Sequence, residues 1–353
     1  MTELTGPVEV VGTGLLGTSI GLACRAAGLE VILSDTSPEH LRTATGLGAG
    51  RPRTSADRAQ LVVVAVPPVH LDAVIAQALA RSDAVVTDVG SIKTQPLAAV
   101  AGTPGAARYV GGHPMAGSEH SGPLAASAAL FDGRPWAITP HATADPEAVA
   151  LVESLVLLCG GVPVRMSPAE HDKAVARTSH VPHLLASLVA GRLAEAPREH
   201  LLLSGQGIRD VTRVAAGDPG LYGQIVTGNA EAVLTLLAEV RHRLDEVIEA
   251  VTDRDGAALE ALLAEGVAGT VAIPGKHGRP SRPMSSVFVT VPDEPGGLAR
   301  LFADAGASKV NIEDVRIDHD PARPVGLVEL VVSEARAEHL MTQLEARGWT
   351  CHR

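Results

Sequence analysis

The chain has 353 residues, ample for two or three domains, and its 46% hydrophobic and 20% charged residues can bury a sizeable core and exclude global disorder. A formal charge of −11 argues against nucleic acid or an anionic membrane as the main partner, and 2% aromatic residues leave little to stack on bases. Cys24, Cys159 and Cys351 form no CxxC pair and show no metal-ligand spacing.

The start of the chain, MTELTGPVEVVG, has neither a basic n-region nor an apolar h-region, and no apolar run reaches ~18 residues. A soluble, cytoplasmic protein is expected. VEVVG (Val8 to Gly12) reads as a buried strand, followed by a glycine turn and an apolar helix from Leu15 to Ala27. Gly28 stands where a helix C′ glycine belongs. LEVILSD ends a second strand at Asp35, and LVVVAVPP (Leu61 to Pro68) and AVVTDVG (Ala84 to Gly90) supply two more. Continuous β-branched runs alternating with helices predict an α/β Rossmann-type doubly wound domain over residues 1–166.

From residue 167 to 272 the pattern is all-α. Val233, Leu237, Val240, Leu244, Val247 and Val251 recur at steps of four and three, the seam of a helix packed lengthwise on another. That seam serves either an intrachain bundle or a dimer interface. AIPGKHGRPSRPM marks a linker over 273–284. Residues 285–353 then read strand, helix, strand, strand, helix and a final strand, a small ferredoxin-like βαββαβ unit.

GTGLLG sets Gly12, Gly14 and Gly17 in a GxGxxG pattern, with Leu15 and Leu16 between the last two glycines. A strand precedes it, a helix follows, and Asp35 comes eighteen residues after Gly17. The glycines permit a tight turn and close approach of backbone to a pyrophosphate, which meets the unpaired N–H groups of the helix N-terminus. Asp35 can accept from the adenosine ribose hydroxyls and would repel a 2′-phosphate, which favours NAD over NADP. Arg51 and Arg53 keep NADP open. Val66, Pro67 and Ser91 close strands on the same ligand-binding edge and complete the expected cofactor set.

VGGHPMAGSEHSG (Val110 to Gly122) places His113, Glu119 and His120 in a glycine-rich stretch that reads as a polar loop, able to hold a metal or carry a proton. TSHVPH offers His180 and His183, with Ser179 a candidate N-cap and Pro182 a helix start. GQGIRDVTRVAAGDP offers Arg209 and Arg213, and Arg213 can form a surface ion pair with Asp210.

VGTGLLGTS, DVGSIK, GGHPMAGSEHSG, SHVPH and RDVTRVAAGDP occur in the order seen in the prephenate dehydrogenase family of tyrosine biosynthesis, which the chain resembles from about residue 8 to 270. The tail resembles an ACT domain, a regulatory amino-acid-binding module. The resemblance implies NAD-dependent oxidative decarboxylation of prephenate to 4-hydroxyphenylpyruvate. It assigns His113 as acceptor of the hydroxyl proton, a task that suits neutral imidazole. It also implies that Ser91 hydrogen-bonds near the substrate hydroxyl and nicotinamide, and that Arg213 binds a substrate carboxylate. It places the His180 and His183 motif beside the substrate pocket and calls for no metal, with His180 the pocket residue and His183 partly structural. It sets Glu119 in an ionic network at the pocket entrance, while Arg209 is left as a surface charge and His120 without a role. In the tail, Gly296 and Gly297 would expose N–H groups to an amino-acid carboxylate, and Asn311 would hold the amino group or a partner backbone. A homodimer regulated by tyrosine or phenylalanine is the resulting expectation. The alternatives are an arogenate dehydrogenase, a β-hydroxyacid dehydrogenase using Lys173, and a non-catalytic sensor of NAD and an amino acid.

Overall fold

The computed structural model describes residues 3–117, 121–273, 283–319 and 325–353. Its contacts separate two units, Met1–Asp253 and Arg254–Arg353. Glu119, His120 and most of the expected linker lie outside the described residues.

The first unit opens with β1 (Val8–Val11), α1 (Leu15–Ala26), β2 (Val31–Ser34), α2 (Pro38–Gly46), β3 (Arg51–Pro52), β4 (Leu61–Val64) and α3 (Pro68–Arg81). β5 (Val85–Asp88), α4 (Thr94–Val100), β6 (Tyr109–Pro114), β7 (Pro135–Thr139), α5 (Pro146–Leu158) and β8 (Val162–Arg165) follow. The sheet order is β3-β2-β1-β4-β5-β6-β7-β8. Pairing is parallel from β3 through β6, antiparallel between β6 and β7, and parallel again from β7 to β8. This is a Rossmann-like, doubly wound sheet.

Its rigidity follows from the sequence of the central strands. Leu61, Val62, Val63 and Val64 are all fully buried, because alternate side chains enter different cores on the two faces of β4. Leu61 and Val63 join Val8 and Val10 with α1 and α5, whereas Val62 and Val64 join Leu71 and Ile75 of α3. Each aliphatic side chain buried this way is worth about 1.5–3 kcal/mol relative to exposure. The C-terminal strand edge therefore hangs on the most strongly held part of the molecule.

Helices begin where short polar side chains satisfy their free N–H groups: Ser37 accepts from His40 at α2, Asp145 from Glu147 at α5, and Ser167 from Glu170 at the next helix. That helix, α6 (Pro168–Val175), leads through a π-helical turn (Ala176–His180) into α7 (Val181–Leu193). Here the structure corrects the expected helix start at Ser179: the chain is helical throughout, and Ser179 caps nothing. Pro182 has no N–H to donate one turn back, and the widened π turn lies immediately before it.

After α8 (Arg198–Leu201), α9 (Gln206–Thr212), a 3-10 turn (Arg213–Ala216) and α10 (Pro219–Gly228) comes α11 (Ala230–Thr252). α11 carries the predicted seam, and its two halves behave differently. Val233 is buried with Ala176 and Val181, and Leu237 and Val240 pack on the same cluster. Leu244 and Val251 stay 55% and 58% exposed.

The second unit contains α12 (Gly256–Ala272), then β9 (Met284–Pro292), α13 (Gly297–Ala307), β10 (Ile312–His319), β11 (Val325–Ser333), α14 (Glu334–Glu345) and β12 (Thr350–His352). Its four strands form an antiparallel sheet in the order β10-β11-β9-β12. Alternate residues Val287, Val289 and Val291, with Val328, Leu330 and Val332, are buried against Leu301, Leu340 and Leu344. Gly297 departs from the expected exposed donor. Its N–H is taken by the Glu294 carbonyl at 3.1 Å, and a Cβ there would lie 2.9 Å from the Pro292 carbonyl oxygen, so a glycine is needed for packing. Gly296 precedes it at φ +92°, and the Asn311 amide donates to Glu313 at 2.7 Å.

Candidate active site

Because β1, β4, β5 and β6 are parallel, their C-terminal ends share one edge. Gly12, Val66 and Pro67, Ser91, and His113 therefore meet there, the edge at which open α/β sheets take ligands.

The glycine turn fits a dinucleotide. Gly12 has φ +96°, and a Cβ on it would lie 2.3 Å from the Ala65 carbonyl oxygen and 3.1 Å from Val66. A Cβ on Gly17 would fall 1.9 Å from the Gly12 carbonyl oxygen. Gly14, by contrast, faces nothing within 4 Å. Two glycines let the turn pack against its own strand and helix, and the third leaves room at the α1 N-terminus, beside the half-buried Leu15 and Leu16.

Asp35 is held in place beside that turn. Its Oδ2 accepts from the Thr13 N–H at 2.6 Å and the Thr13 hydroxyl at 2.7 Å, and its Oδ1 accepts from the Ser37 N–H at 2.7 Å. Burial pushes its pKa up, but these hydrogen bonds outweigh burial and hold it below the usual carboxylate value. The two downstream arginines are engaged elsewhere. Arg51 lies 2.6 Å from Glu30 and 2.7 Å from Asp57, and Arg53 lies 3.2 Å from Glu9.

His113 sits in strand β6, which corrects the expected loop: Gly111, Gly112, His113 and Pro114 pair with Thr139 to Trp136 of β7. The glycines serve the protein's own packing. A Cβ on Gly111 would fall 2.5 Å from Thr139 Oγ1 and 3.0 Å from Lys93, and one on Gly112 would fall 2.8 Å from the Asp88 carbonyl oxygen. Without side chains, the strand lies directly over Lys93 and the end of β5.

Behind His113 runs a polar chain that sequence reasoning missed. His113 Nδ1 is 2.9 Å from His171 Nε2, and His171 Nδ1 is 2.8 Å from Asp172 Oδ1. Asp172 Oδ1 also accepts from the Lys93 N–H at 2.9 Å, and its Oδ2 from the Thr94 N–H at 2.8 Å. The side chain of Lys93, 1% exposed, forms an ion pair with Asp88 and donates to the Gly112 carbonyl at 2.8 Å. Asp88 Oδ1 accepts from the Tyr109 hydroxyl at 2.9 Å. One available signal was DVGSIK itself, which contains Asp88 and Lys93; another was His171-Asp172 in the first turns after the Ser167 cap.

Burial, then His171, Lys93 and His180, holds the His113 pKa well below its ordinary value. The half-buried ring is therefore neutral near pH 7. Burial likewise lowers the Lys93 pKa against the opposing attraction of Asp88. Asp172 is held low: burial raises it, but hydrogen bonds from His171, Thr94 and Lys93 prevail.

The other expected residues take different places. His180 is buried, with Nδ1 3.2 Å from the amide of Asn229, which also donates to the Asp172 carbonyl at 2.7 Å. Burial lowers the His180 pKa to about 4. His183 stacks on Tyr222, with ring centroids 3.4 Å apart and planes within 5°. Ser91 is half-buried and its hydroxyl has no hydrogen-bond partner among the described residues. Arg213 opens its 3-10 turn exposed, and no ion pair joins it to Asp210, which instead accepts from Gln206 at 2.9 Å. Among the described residues no His, Cys, Asp and Glu cluster could hold a metal ion, and no helix is long and apolar enough to cross a membrane.

Comparison with known proteins gives this arrangement a family. Residues 20–165 match the prephenate dehydrogenase nucleotide-binding domain, and residues 167–265 match the prephenate dehydrogenase dimerization domain. The chain is 37% identical to "Probable prephenate dehydrogenase NovF" of Streptomyces niveus, over 96% of this chain and 98% of that protein. It is 29% identical to prephenate dehydrogenase of Bacillus subtilis over 90% and 89% of the two chains. Among solved structures, prephenate dehydrogenase from A. aeolicus, in complex with hydroxyphenyl propionate and NAD+, aligns with TM-score 0.68 and 28% identity, covering 74% of this chain and 96% of that one. Synechocystis arogenate dehydrogenase aligns with TM-score 0.63 and 27% identity over 74% and 98%. With both family domains matched and a relative 37% identical over nearly the whole chain, the chain belongs to the prephenate dehydrogenase family and is an NAD-dependent dehydrogenase.

Proposed function

We propose that the chain oxidises prephenate to 4-hydroxyphenylpyruvate and carbon dioxide. The observation that carries this reading is His113: a neutral imidazole at the cofactor edge, anchored through Nδ1, whose Nε2 makes no hydrogen bond among the described residues. Bound NAD supplies the hydride acceptor. His113 Nε2 takes the hydroxyl proton as the ring carbon bearing that hydroxyl loses hydride and its C–O bond becomes a carbonyl. The bond to the ring carboxylate then breaks and releases carbon dioxide, its electron pair enters the ring, and the carbonyl oxygen becomes a phenolate that takes the proton back from His113 to give the phenol. Ser91 orients the hydroxyl at the end of β5. Arg213, a guanidinium with no partner of its own among the described residues, binds a substrate carboxylate. His180, His183 and Glu119 shape the pocket.

Prephenate is preferred over arogenate because the relative at 37% identity, matched nearly end to end, carries the prephenate name. The exposed Leu244, Ile248 and Val251 on α11 are the surface on which a second copy docks to make a homodimer, consistent with the matched dimerization domain. The βαββαβ order of residues 285–353 supports an ACT-type unit, with tyrosine or phenylalanine as effector. The test is purified protein with prephenate or arogenate and NAD, following reduced cofactor, with and without each amino acid. Turnover of prephenate, lost in His113→Ala with NAD binding kept, is the expected result. Preference for arogenate overturns the substrate, and rates indifferent to both amino acids overturn the effector.

A further inference from the structure

His113 can accept a proton only if its outward nitrogen, Nε2, carries a lone pair. An imidazole left alone in water favours the opposite tautomer, with the proton on Nε2. Something in the protein has to set the choice.

We propose that Asp172 and His171 are positioning residues that fix His113 as the Nδ1–H tautomer and so expose its Nε2 lone pair to the substrate hydroxyl. The inference rests on the proton-acceptor reading of His113. Its logic is a chain of forced choices along two contacts. Asp172, a carboxylate, can only accept, so at 2.8 Å the hydrogen lies on His171 Nδ1. A His171 ring carrying that single hydrogen has none on Nε2 and can only accept there. At 2.9 Å from it, His113 Nδ1 has to be the donor. The remaining ring nitrogen of His113 is thereby unprotonated.

Asp172 is well suited to start the chain. Its two oxygens are already held by the main-chain N–H groups of Lys93 and Thr94, which fix its orientation and favour its charged form. The carboxylate thus ties α6 to the loop leaving β5, and His171 delivers that tie to β6. Among the described residues, the groups facing His113 and His171 from the neighbouring elements are Lys93, Asp172 and His180. Lys93 is engaged by Asp88 and Gly112, and His180 is neutral near pH 7, so neither offers His113 a competing acceptor. When His113 receives the substrate proton, the charge that forms is stabilised through His171 toward Asp172. This is the reasoning by which a buried carboxylate orients a catalytic histidine in serine proteases, here reached through a second imidazole.

The test pairs a tautomer measurement with kinetics. Long-range proton–nitrogen NMR of histidine-labelled full-length enzyme, without NAD or substrate, reads the hydrogen on each ring nitrogen, with His113 assigned by its loss in His113→Gln. The wild type is expected to show hydrogen on Nδ1 and none on Nε2, and His171→Leu to shift population toward Nε2–H. His171→Leu is expected to lower kcat on the order of 10²-fold, the scale of one acid–base contribution. KM and NAD affinity should change by less than about threefold. His171→Gln, whose amide oxygen can accept from His113 Nδ1, should recover most of that loss.

A wild-type His113 protonated on Nε2, or a tautomer unchanged in His171→Leu, overturns the proposal. So does a kcat loss in His171→Leu that His171→Gln fails to recover while both variants melt like the wild type. Because the NMR readout needs no substrate, a wild type inert toward prephenate would overturn the functional reading while the tautomer result still decides this one.

Discussion

Lys93 Nζ donates to the main-chain carbonyl of Gly112 across 2.8 Å, so one buried ammonium grips the residue immediately before His113. The same ammonium pairs with Asp88 at the end of β5, and both side chains are essentially sealed from water. Removing one member of such a pair leaves the other charge buried and alone, which costs about 3–5 kcal/mol. Lys93→Met should therefore destabilise the fold by that amount in urea denaturation and displace the strand end that carries His113. Adding Asp88→Asn removes the stranded charge, so the double variant should be more stable than Lys93→Met alone. A double variant less stable than the single one would show that the pair is not what holds this strand.

The glycine turn separates a structural need from a ligand's need. A Cβ on Gly12 meets the Ala65 carbonyl oxygen at 2.3 Å, and the φ of +96° already disfavours a side chain. A Cβ on Gly14 meets nothing within 4 Å. Gly12→Ala is expected to lower the melting temperature by several degrees, the response to roughly 1–2 kcal/mol in a domain of this size. Gly14→Ala should melt like the wild type and yet lose NAD affinity at least about tenfold, since the methyl occupies space a pyrophosphate needs. Equal NAD affinity in Gly14→Ala and the wild type, by calorimetry, would move the cofactor off this turn.

What the sequence discloses and what it hides divide along physical lines. The central strands were legible because full burial on two faces demands unbroken β-branched runs, and LVVV at residues 61–64 meets that demand. The dinucleotide turn was legible because its glycines, Asp35 and the flanking elements all lie within one short segment. The polar chain behind His113 was not, because it joins three separate elements: Lys93 follows β5, His113 lies near the end of β6, and His171 and Asp172 lie on α6. Nothing in local spacing announces such a meeting. The glycines of GGHP misled for a related reason. Glycine pairs often mark loops, but here their lack of side chains lets a paired strand pass over Lys93 and Asp88.

The buried histidines set an acid limit on the fold. The pKa of His180 is lowered to about 4, and those of His113 and His183 are lowered too, in each case chiefly by burial. In the unfolded chain these rings take up protons near pH 6.5, while the fold resists the same protons. Stability rises with pH wherever the unfolded state binds more protons, so it falls as pH drops from about 6.5 toward 4. Asp35 and Asp172 act in a lower window. Their depressed pKa values add stability that is fully present above the ordinary carboxylate value and is lost as pH falls from there through the depressed values. The urea midpoint should decrease between about pH 7 and 5, and His180→Gln should flatten that decrease. A midpoint independent of pH across this interval would contradict the burial of these rings.

Cofactor choice turns on Asp35 and on what the nearby arginines are doing. NADP carries a phosphate where NAD has the 2′-hydroxyl, and Asp35 is fixed by Thr13 and Ser37 with its charge retained. Placing a phosphate against it brings like charges together, which costs several kcal/mol. Arg51 and Arg53, the cations a sequence reader would recruit for that phosphate, are committed to Glu30, Asp57 and Glu9. The Arg51 pairs are exposed and individually weak, but its guanidinium is bound on two sides at once, which leaves it a poor phosphate clamp. The kcat/KM with NAD should exceed that with NADP by on the order of 10²-fold or more, since several kcal/mol translate to at least that ratio. In Asp35→Ala the ratio should collapse, mostly through a higher KM for NAD and relief of repulsion toward NADP. If the wild type uses both cofactors equally well, Arg51 or Arg53 must leave its carboxylate partners when NADP binds, and the Glu9→Gln and Glu30→Gln variants would then show which one moves.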